Sequence, residues 1–245
     1  MLKLKVISCD VLNREISYLA SKSQCFVDVT FLRQGLHLTP KSLGTALQQE
    51  IDRTSEGYKY STQAVDFDYI IIGYGLCSNG IIGISSKKVP LVIPRAHDCI
   101  TLLLGSKERY REYFDKNPGT YWFSPGWIER GAPPSKEKHQ AVYLEYVKKY
   151  GEENAQYLVD MEQSWLKDYK DAALINWGLV GRPECYREIT REIAGQLDWN
   201  YVELDGESAL LNRILNGIFN ENEVLLVPPG DKVVQSFDEN IIKLE

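Results

Sequence analysis

Four side chains able to bind a soft metal ion or to act as nucleophiles follow short apolar runs: Cys9 after KLKVIS, Cys77 in IIIGYGLC, and His97 with Cys99 in LVIPRAHDC. Each run has the apolar, β-branched character of a strand buried on both faces. In open α/β sheets, ligands bind at the carboxyl ends of parallel strands. Neutral imidazole and thiolate suit zinc, and thiolates hold iron–sulfur clusters. A gap of one residue between His97 and Cys99 at a strand-to-helix turn can aim both side chains into one crevice. If the three strands are neighbours, Cys9, Cys77, His97 and Cys99 converge on one zinc ion or iron–sulfur cluster. In an enzyme, such an ion acts as a Lewis acid that lowers the pKa of a bound thiol or water. If protein ligands fill all its positions, a non-catalytic accessory or metal-delivery role follows. The competing chemistry is a metal-free cysteine enzyme whose thiol is activated by imidazole at about 3 Å. Cys77 with His97 is the better pair for that, because side chains two apart on a turn rarely meet in the required geometry.

Other residues are assigned around this group. Cys185, in the first turn of the helix after AALINWGL, also follows a strand and is a candidate additional ligand. Cys25, at the start of a strand, is expected to be a small packing residue. Arg95 either clamps a substrate carboxylate or phosphate, or pairs structurally with an acidic side chain. Asp98 is better placed to cap the following helix than to orient an imidazole. Tyr121, Trp122 and Trp127 lie in NPGTYWFSPGW, which has no helical or strand period and is expected to form a lid or a flat wall over a small-molecule ligand. Tyr121 and Trp127 are thereby candidate substrate-binding residues with Arg95. His37 and His139 are expected to be surface or packing residues. GYGLCSNG lacks the spacing of a dinucleotide fingerprint, and no Lys-Ser/Thr follows it.

The elements that must position these residues alternate between periods. A strand through Val6 and Ile7 leads to a helical pattern at Leu12, Ile16 and Leu19, and CFVDVTFL alternates as a second strand. Thr39 can cap a helix over residues 41–52, with Pro40 at its first position. DFDYIIIGYG and VPLVIPR are a third and fourth strand, and ITLLLGSKERYREYF is an amphipathic helix. A long polar helical stretch spans residues 136–167. AALINWGL, WNYVEL and EVLLVPPG then restore strand character, with helices over 183–197 and 207–217 between them. This alternation predicts an α/β protein of two Rossmann-like lobes with mostly parallel sheets, joined by a helical connection. The expected boundaries are an N-terminal lobe over 1–130 carrying the Cys/His site, a connection over 131–170, and a C-terminal lobe over 171–245.

Composition narrows the partners. The chain has 245 residues, 44% of them hydrophobic and 25% charged, enough apolar mass for ordinary globular cores. A net charge of −6 offers no general basic surface for nucleic acid. No apolar run approaches the roughly 18 residues that would cross a membrane. MLKLKVISCDV reads directly as a first strand, with no leader, so a cytoplasmic location is expected. There, five cysteines are better read as thiols or ligands than as disulfides.

LVIPRAHDCITLLLGSKERY, GYGLCSNG and PGTYWFSPGW together resemble the family called domain of unknown function 1638, found in anaerobic prokaryotes, over most of the chain. Members are often encoded beside corrinoid-dependent methyltransferases. The resemblance therefore implies a link to one-carbon metabolism, with a corrinoid protein or methyltransferase as partner, a corrinoid reached through that partner, and methyl-group or thiol transfer as the reaction. The family brings no assigned catalytic residues. The His-x-Cys element with a distant Cys is also similar to the zinc site of thiol-methylating enzymes that take methyl groups from corrinoids. Those enzymes are barrels, so this likeness concerns the ligand set and not the reaction.

Overall fold

The structure, a computed structural model, describes residues 1–57, 59–60 and 63–245, with backbone alone at 59–60 and 63–64. The chain begins with β1 (Lys3–Cys9), α1 (Asn13–Ala20), β2 (Phe26–Leu32), α2 (Pro40–Ser55) and the short pair β3 (Lys59–Tyr60) and β4 (Gln63–Ala64). Next come β5 (Tyr69–Gly73), β6 (Leu91–Pro94), α3 (Cys99–Leu104) and α4 (Lys107–Lys116). It continues through β7 (Thr120–Phe123), α5 (Pro125–Arg130), α6 (Lys136–Tyr150), α7 (Glu152–Glu162), β8 (Asp171–Asn176), α8 (Pro183–Leu197) and β9 (Asn200–Asp205). The last elements are α9 (Ala209–Leu215), β10 (Val224–Val227), β11 (Val233–Gln235) and β12 (Ile242–Leu244). These fall into two units, Met1–Arg111 with Gly206–Glu245, and Glu112–Asp205.

The first unit is built on a sheet of order β10-β6-β5-β1-β2. The pairs β1–β2, β1–β5 and β5–β6 are parallel, and β10 joins the edge antiparallel to β6. Ile70, Ile71 and Ile72 on β5 are buried, as are Leu91, Val92 and Ile93 on β6, so these runs are apolar without alternation. β1 is followed by β2 on one side, after which the chain crosses back to place β5 on the other side. The carboxyl ends of β1 and β5 therefore flank a topological switch point, where open α/β sheets hold their ligands. The two strands approach closely there. Ser8 stands in register with Gly73 and donates to its carbonyl at 3.0 Å, and a Cβ on Gly73 would collide with the Ser8 side chain. In mid-sheet, the fully buried Lys5 is ion-paired with its β2 neighbour Asp28 and donates to Thr30 Oγ1 at 2.8 Å.

The second unit has a three-stranded parallel sheet of order β7-β8-β9. Phe123, Ala172, Leu174, Tyr186, Ile193, Ala194 and Trp199 form its core. An α/β architecture with mostly parallel sheets is thus present in both units, but the chain is divided at other places than 130 and 170. EVLLVPPG supplies β10 to the first unit's sheet and does not complete the second. The third strand of the second unit comes from NPGTYWFSPGW, expected to be irregular. TYWF is too short to display a period, yet as β7 it pairs in register with β8, and Pro125 starts α5.

Two expected helices are interrupted at glycines. ITLLLGSKERYREYF splits at Gly105, which is left-handed at φ 85°, and a Cβ there would lie 2.7 Å from the Glu207 side chain. The stretch 136–167 splits at Gly151, also at positive φ, into α6 and α7, followed by a 3-10 turn over Ser164–Asp168. Thr39 occupies the cap position of α2, but its side chain makes no capping hydrogen bond.

Candidate functional site

The carboxyl ends of β1, β5 and β6 bring three thiols together. Cys9 ends β1, Cys77 lies in the loop after β5, and Cys99 opens α3 after β6. Because the strands run in the order β6-β5-β1, the three sulfurs are brought within electrostatic reach of one another. All three cysteines are free of disulfides.

The loops after β5 and β6 run together as an extension of the sheet. The Leu76 N–H donates to the Ala96 carbonyl at 2.8 Å, and the Cys77 N–H donates to the His97 carbonyl at 2.9 Å. Gly75 makes this possible, since a Cβ there would sit 2.5 Å from the Asp98 nitrogen. Cys77, Ser78 and Asn79 are then all left-handed, with φ of 46°, 55° and 69°. A single non-glycine residue in that region costs of order 1–2 kcal/mol, and three in succession make a strained turn of the kind that gathers at functional sites. Leu43 and Gly44 of α2 pack against Gly80 at the end of this turn.

Electrostatics keep the thiols protonated in the absence of a cation. Burial pushes Cys9 up, burial with the nearby Asp98 carboxylate pushes Cys77 up to about 12, and the same causes raise Cys99 well above the ordinary thiol range. Each would-be thiolate also repels its neighbours. Tyr74, only 2% exposed, faces the group: Cys9, Cys77 and Cys99 all act on its hydroxyl, whose ionisation is driven up chiefly by burial. That hydroxyl lies beside the Cys9 thiol without completing a hydrogen bond of ordinary geometry, and it is buried with no partner. Among the described residues, no three His, Cys, Asp or Glu side chains are placed so that they could hold a metal ion as they stand. The thiols are within electrostatic reach of one another but not at ligating positions about a common point. Their donor chemistry fits a soft or borderline metal and not a hard oxygen-seeking cation.

The remaining candidates separate clearly. The His97 side chain is exposed, and what it contributes to the loop pairing is its carbonyl. Asp98 is the α3 cap, accepting from the Ile100 N–H at 3.0 Å and from the Tyr110 hydroxyl at 3.2 Å. Arg95 ties down the C-terminal segment: Nε donates to the Glu221 carbonyl at 2.8 Å, and Nη1 to those of Asn240 and Ile242 at 3.0 and 2.6 Å. These bonds are structural, and their acceptors are carbonyls and not the acidic side chains expected of a structural pairing. Tyr121 and Trp127 belong to the second unit's aromatic packing and not to a lid loop. Tyr121 lies 5.2 Å from Phe123, 5.5 Å from Trp199 and 6.5 Å from Trp127, centroid to centroid, and the two residues sit on β7 and α5. Cys185 is carried by α8 of the second unit. Cys25 precedes β2 at the amino end of the first sheet, with its sulfur beside Gly217, as a packing residue would be.

Two residues escaped the sequence reading. Tyr74 lies inside an apolar run, where its hydroxyl carries no signal. His37 follows β2 and its half-buried ring is within electrostatic reach of Asp98; burial holds its pKa below the ordinary imidazole range, partly offset by that carboxylate. The signal that could have found it is its position, after the strand that neighbours β1.

The second unit carries a different group, centred on the middle of β9. Glu203 on β9 accepts from Arg187 Nε at 2.9 Å, from Asn176 Nδ2 at 3.1 Å and from the Tyr201 hydroxyl at 2.9 Å. Arg187 holds its carboxyl down to about 2.

Among the described residues, no helix is long and apolar enough to cross a membrane. Residues 31–215 match the family described as a protein of unknown function, DUF1638. No curated protein and no solved structure matches the chain.

Proposed function

For this chain, which belongs to the DUF1638 family of proteins of unknown function, we propose a thiolate site that binds a soft transition metal, zinc or an iron–sulfur cluster, at the switch point of the first unit. The observation that carries this reading is the Tyr74 hydroxyl, buried without a partner and facing Cys9, Cys77 and Cys99. A buried polar group left unsatisfied is costly. A metal-bound thiolate, or a ligand on the metal, is the acceptor this hydroxyl lacks. A bound cation would also turn the mutual repulsion of three thiolates into attraction, since coordinated thiols deprotonate outright. Cys9, Cys77 and Cys99 would hold the metal, joined by a nitrogen ligand. The strained turn fixes the direction of Cys77, and Asp98 fixes the start of α3 and with it Cys99.

When bound, zinc would supply Lewis-acid activation of a thiol, the chemistry that the proposed link to corrinoid-dependent methyl transfer requires. A metal-free cysteine nucleophile is the weaker reading, because a thiol raised to about 12 is almost wholly protonated near neutral pH. Metal analysis of anaerobically purified protein, with its absorption spectrum, tests the proposal. About one zinc per chain, or iron with sulfide and visible absorption, is expected. Protein free of zinc, iron and other transition metals overturns it.

A further inference from the structure

We infer that the helical hairpin of the second unit, α6 with α7, is a docking surface for the same hairpin of a second copy of this chain, with α6 of each copy laid on α7 of the other. The inference is independent of the thiol site. None of the described residues of α6 is buried, and on α7 only Ala155 and Val159 are. Helices of this length draw most of their stability from packing an apolar face, yet both leave large apolar side chains in solvent. Tyr157 is 67% exposed and Met161 59%, four apart on one face of α7, and Leu144 on α6 is 50% exposed. Tyr157 stands two residues from both Ala155 and Val159, so this face is turned away from the one that α7 buries within its own chain. The hairpin is nonetheless held in place. The Tyr146 hydroxyl donates to Glu162 Oε2 at 2.6 Å, His139 Nδ1 lies 2.6 Å from Gln163 Oε1, and the Lys136 N–H donates to Gln196 Oε1 on α8 at 3.0 Å. Trp165, just beyond α7, stacks on Tyr121 at 6.0 Å between centroids and is still 39% exposed. Tyr, Met and Trp are side chains enriched at protein interfaces.

Charge decides the occupant. Glu153 and Asp160 share the exposed face with Tyr157 and Met161, at the i, i+4, i+7 and i+8 spacing of one helical stripe. α7 as a whole carries four acidic side chains and no basic one. Its partner must bring an apolar side chain with positive charge beside it. α6 has that composition, with four lysines against two glutamates and with Lys148 one turn from the exposed Leu144. Laying Leu144 and Lys148 of one copy on the α7 stripe of the other, twice about a two-fold axis, closes a four-helix bundle in which both copies use the same surface. Laying α7 on α7 would instead bring like charges together.

Sedimentation velocity on the full-length protein across about 1–100 µM should show a concentration-dependent dimer. Leu144→Gln and Met161→Gln, both at exposed positions, should each weaken it by about tenfold or more, with the far-UV circular dichroism of the chain unchanged. Lys148→Glu and Asp160→Lys should each reduce self-association, because each brings like charges together twice. An equimolar mixture of these two variants should dimerise as the wild type does, since both contacts of the mixed dimer again join opposite charges. That rescue also separates a lost contact from a misfolded hairpin, which its counterpart could not restore. A wild-type monomer at every concentration overturns the inference. A dimer that Leu144→Gln and Met161→Gln leave intact uses another surface and overturns it too. Charge variants that do not associate with each other in the mixture overturn the pairing of α6 with α7.

Discussion

Beside β8 and β9, polar side chains satisfy one another around Glu203 in the middle of β9: Arg187 and Tyr201 donate to it, and Asn176 at the end of β8 completes the set. At the carboxyl ends of β1, β5 and β6, three thiols and the Tyr74 hydroxyl are gathered with burial raising every pKa among them. Both regions border parallel strands of an α/β sheet, yet one has resolved its electrostatics internally and the other has a buried donor with no acceptor. A saturated network stabilises what is already there. An unsatisfied one is where an additional charged species lowers the free energy, which is why the thiol region and not the Glu203 region is assigned the ligand.

The first unit does contain a satisfied charge pair, Lys5 with Asp28, but it is in mid-sheet and away from the strand ends. Asp28→Ala leaves a fully buried ammonium without its counter-ion and should cost about 3–5 kcal/mol in denaturant unfolding. A cost under about 1 kcal/mol would place the pair with ordinary surface ion pairs. The assignment of the ligand to the thiol region is tested next by Cys77→Ser and Cys99→Ser. Each should lower metal content by more than about tenfold, whereas Cys25→Ser, at the opposite end of the sheet, should retain it. Equal retention in all three variants would place the metal elsewhere.

Tyr74→Phe sharpens the comparison because its effects have opposite signs in the two states. Removing an unsatisfied buried hydroxyl should stabilise the metal-free protein by about 1–2 kcal/mol, and it should weaken metal binding. A destabilised metal-free variant would show that the hydroxyl already has an acceptor. The smallest effect is expected at Glu203. Its pKa is lowered from 4.5 to about 2 in the fold, so between those values the unfolded chain binds a proton that the native state does not. Its stabilising contribution is complete above the unfolded value and is lost as pH falls through about 2. The stability gap between wild type and Glu203→Gln, followed by denaturant unfolding against pH, should therefore narrow on acidification. A gap that widens would mean that the carboxylate is not stabilised by Arg187.

Much of the first unit was legible from periodicity. Continuous apolar runs at Ile70–Ile72 and Leu91–Ile93 identify buried parallel strands, and Asp98 before Cys99 has the chemistry and position of a helix cap, which its bond to the Ile100 N–H bears out. The second unit was less so. β7 is four residues long, and its pairing with β8 comes from tertiary contacts that leave no period in TYWF. Gly105 and Gly151 end helices through backbone conformation, while the residues around them continue a helical pattern.

The sequence by itself determined that this protein is α/β, that its cysteines cluster after strands, and that Cys77 lies in a glycine-rich turn. Those properties follow from local composition and spacing, which each short segment carries alone. Only the tertiary structure decided the strand order β10-β6-β5-β1-β2, the transfer of Val224–Val227 to the first sheet, and the placing of His37 within reach of Asp98. Those depend on pairings between segments far apart in the chain, selected by packing and loop closure over the whole unit. The same distinction applies to Tyr74: its hydroxyl lacks a partner because of what surrounds it in space, and no residue type or interval in the chain records that.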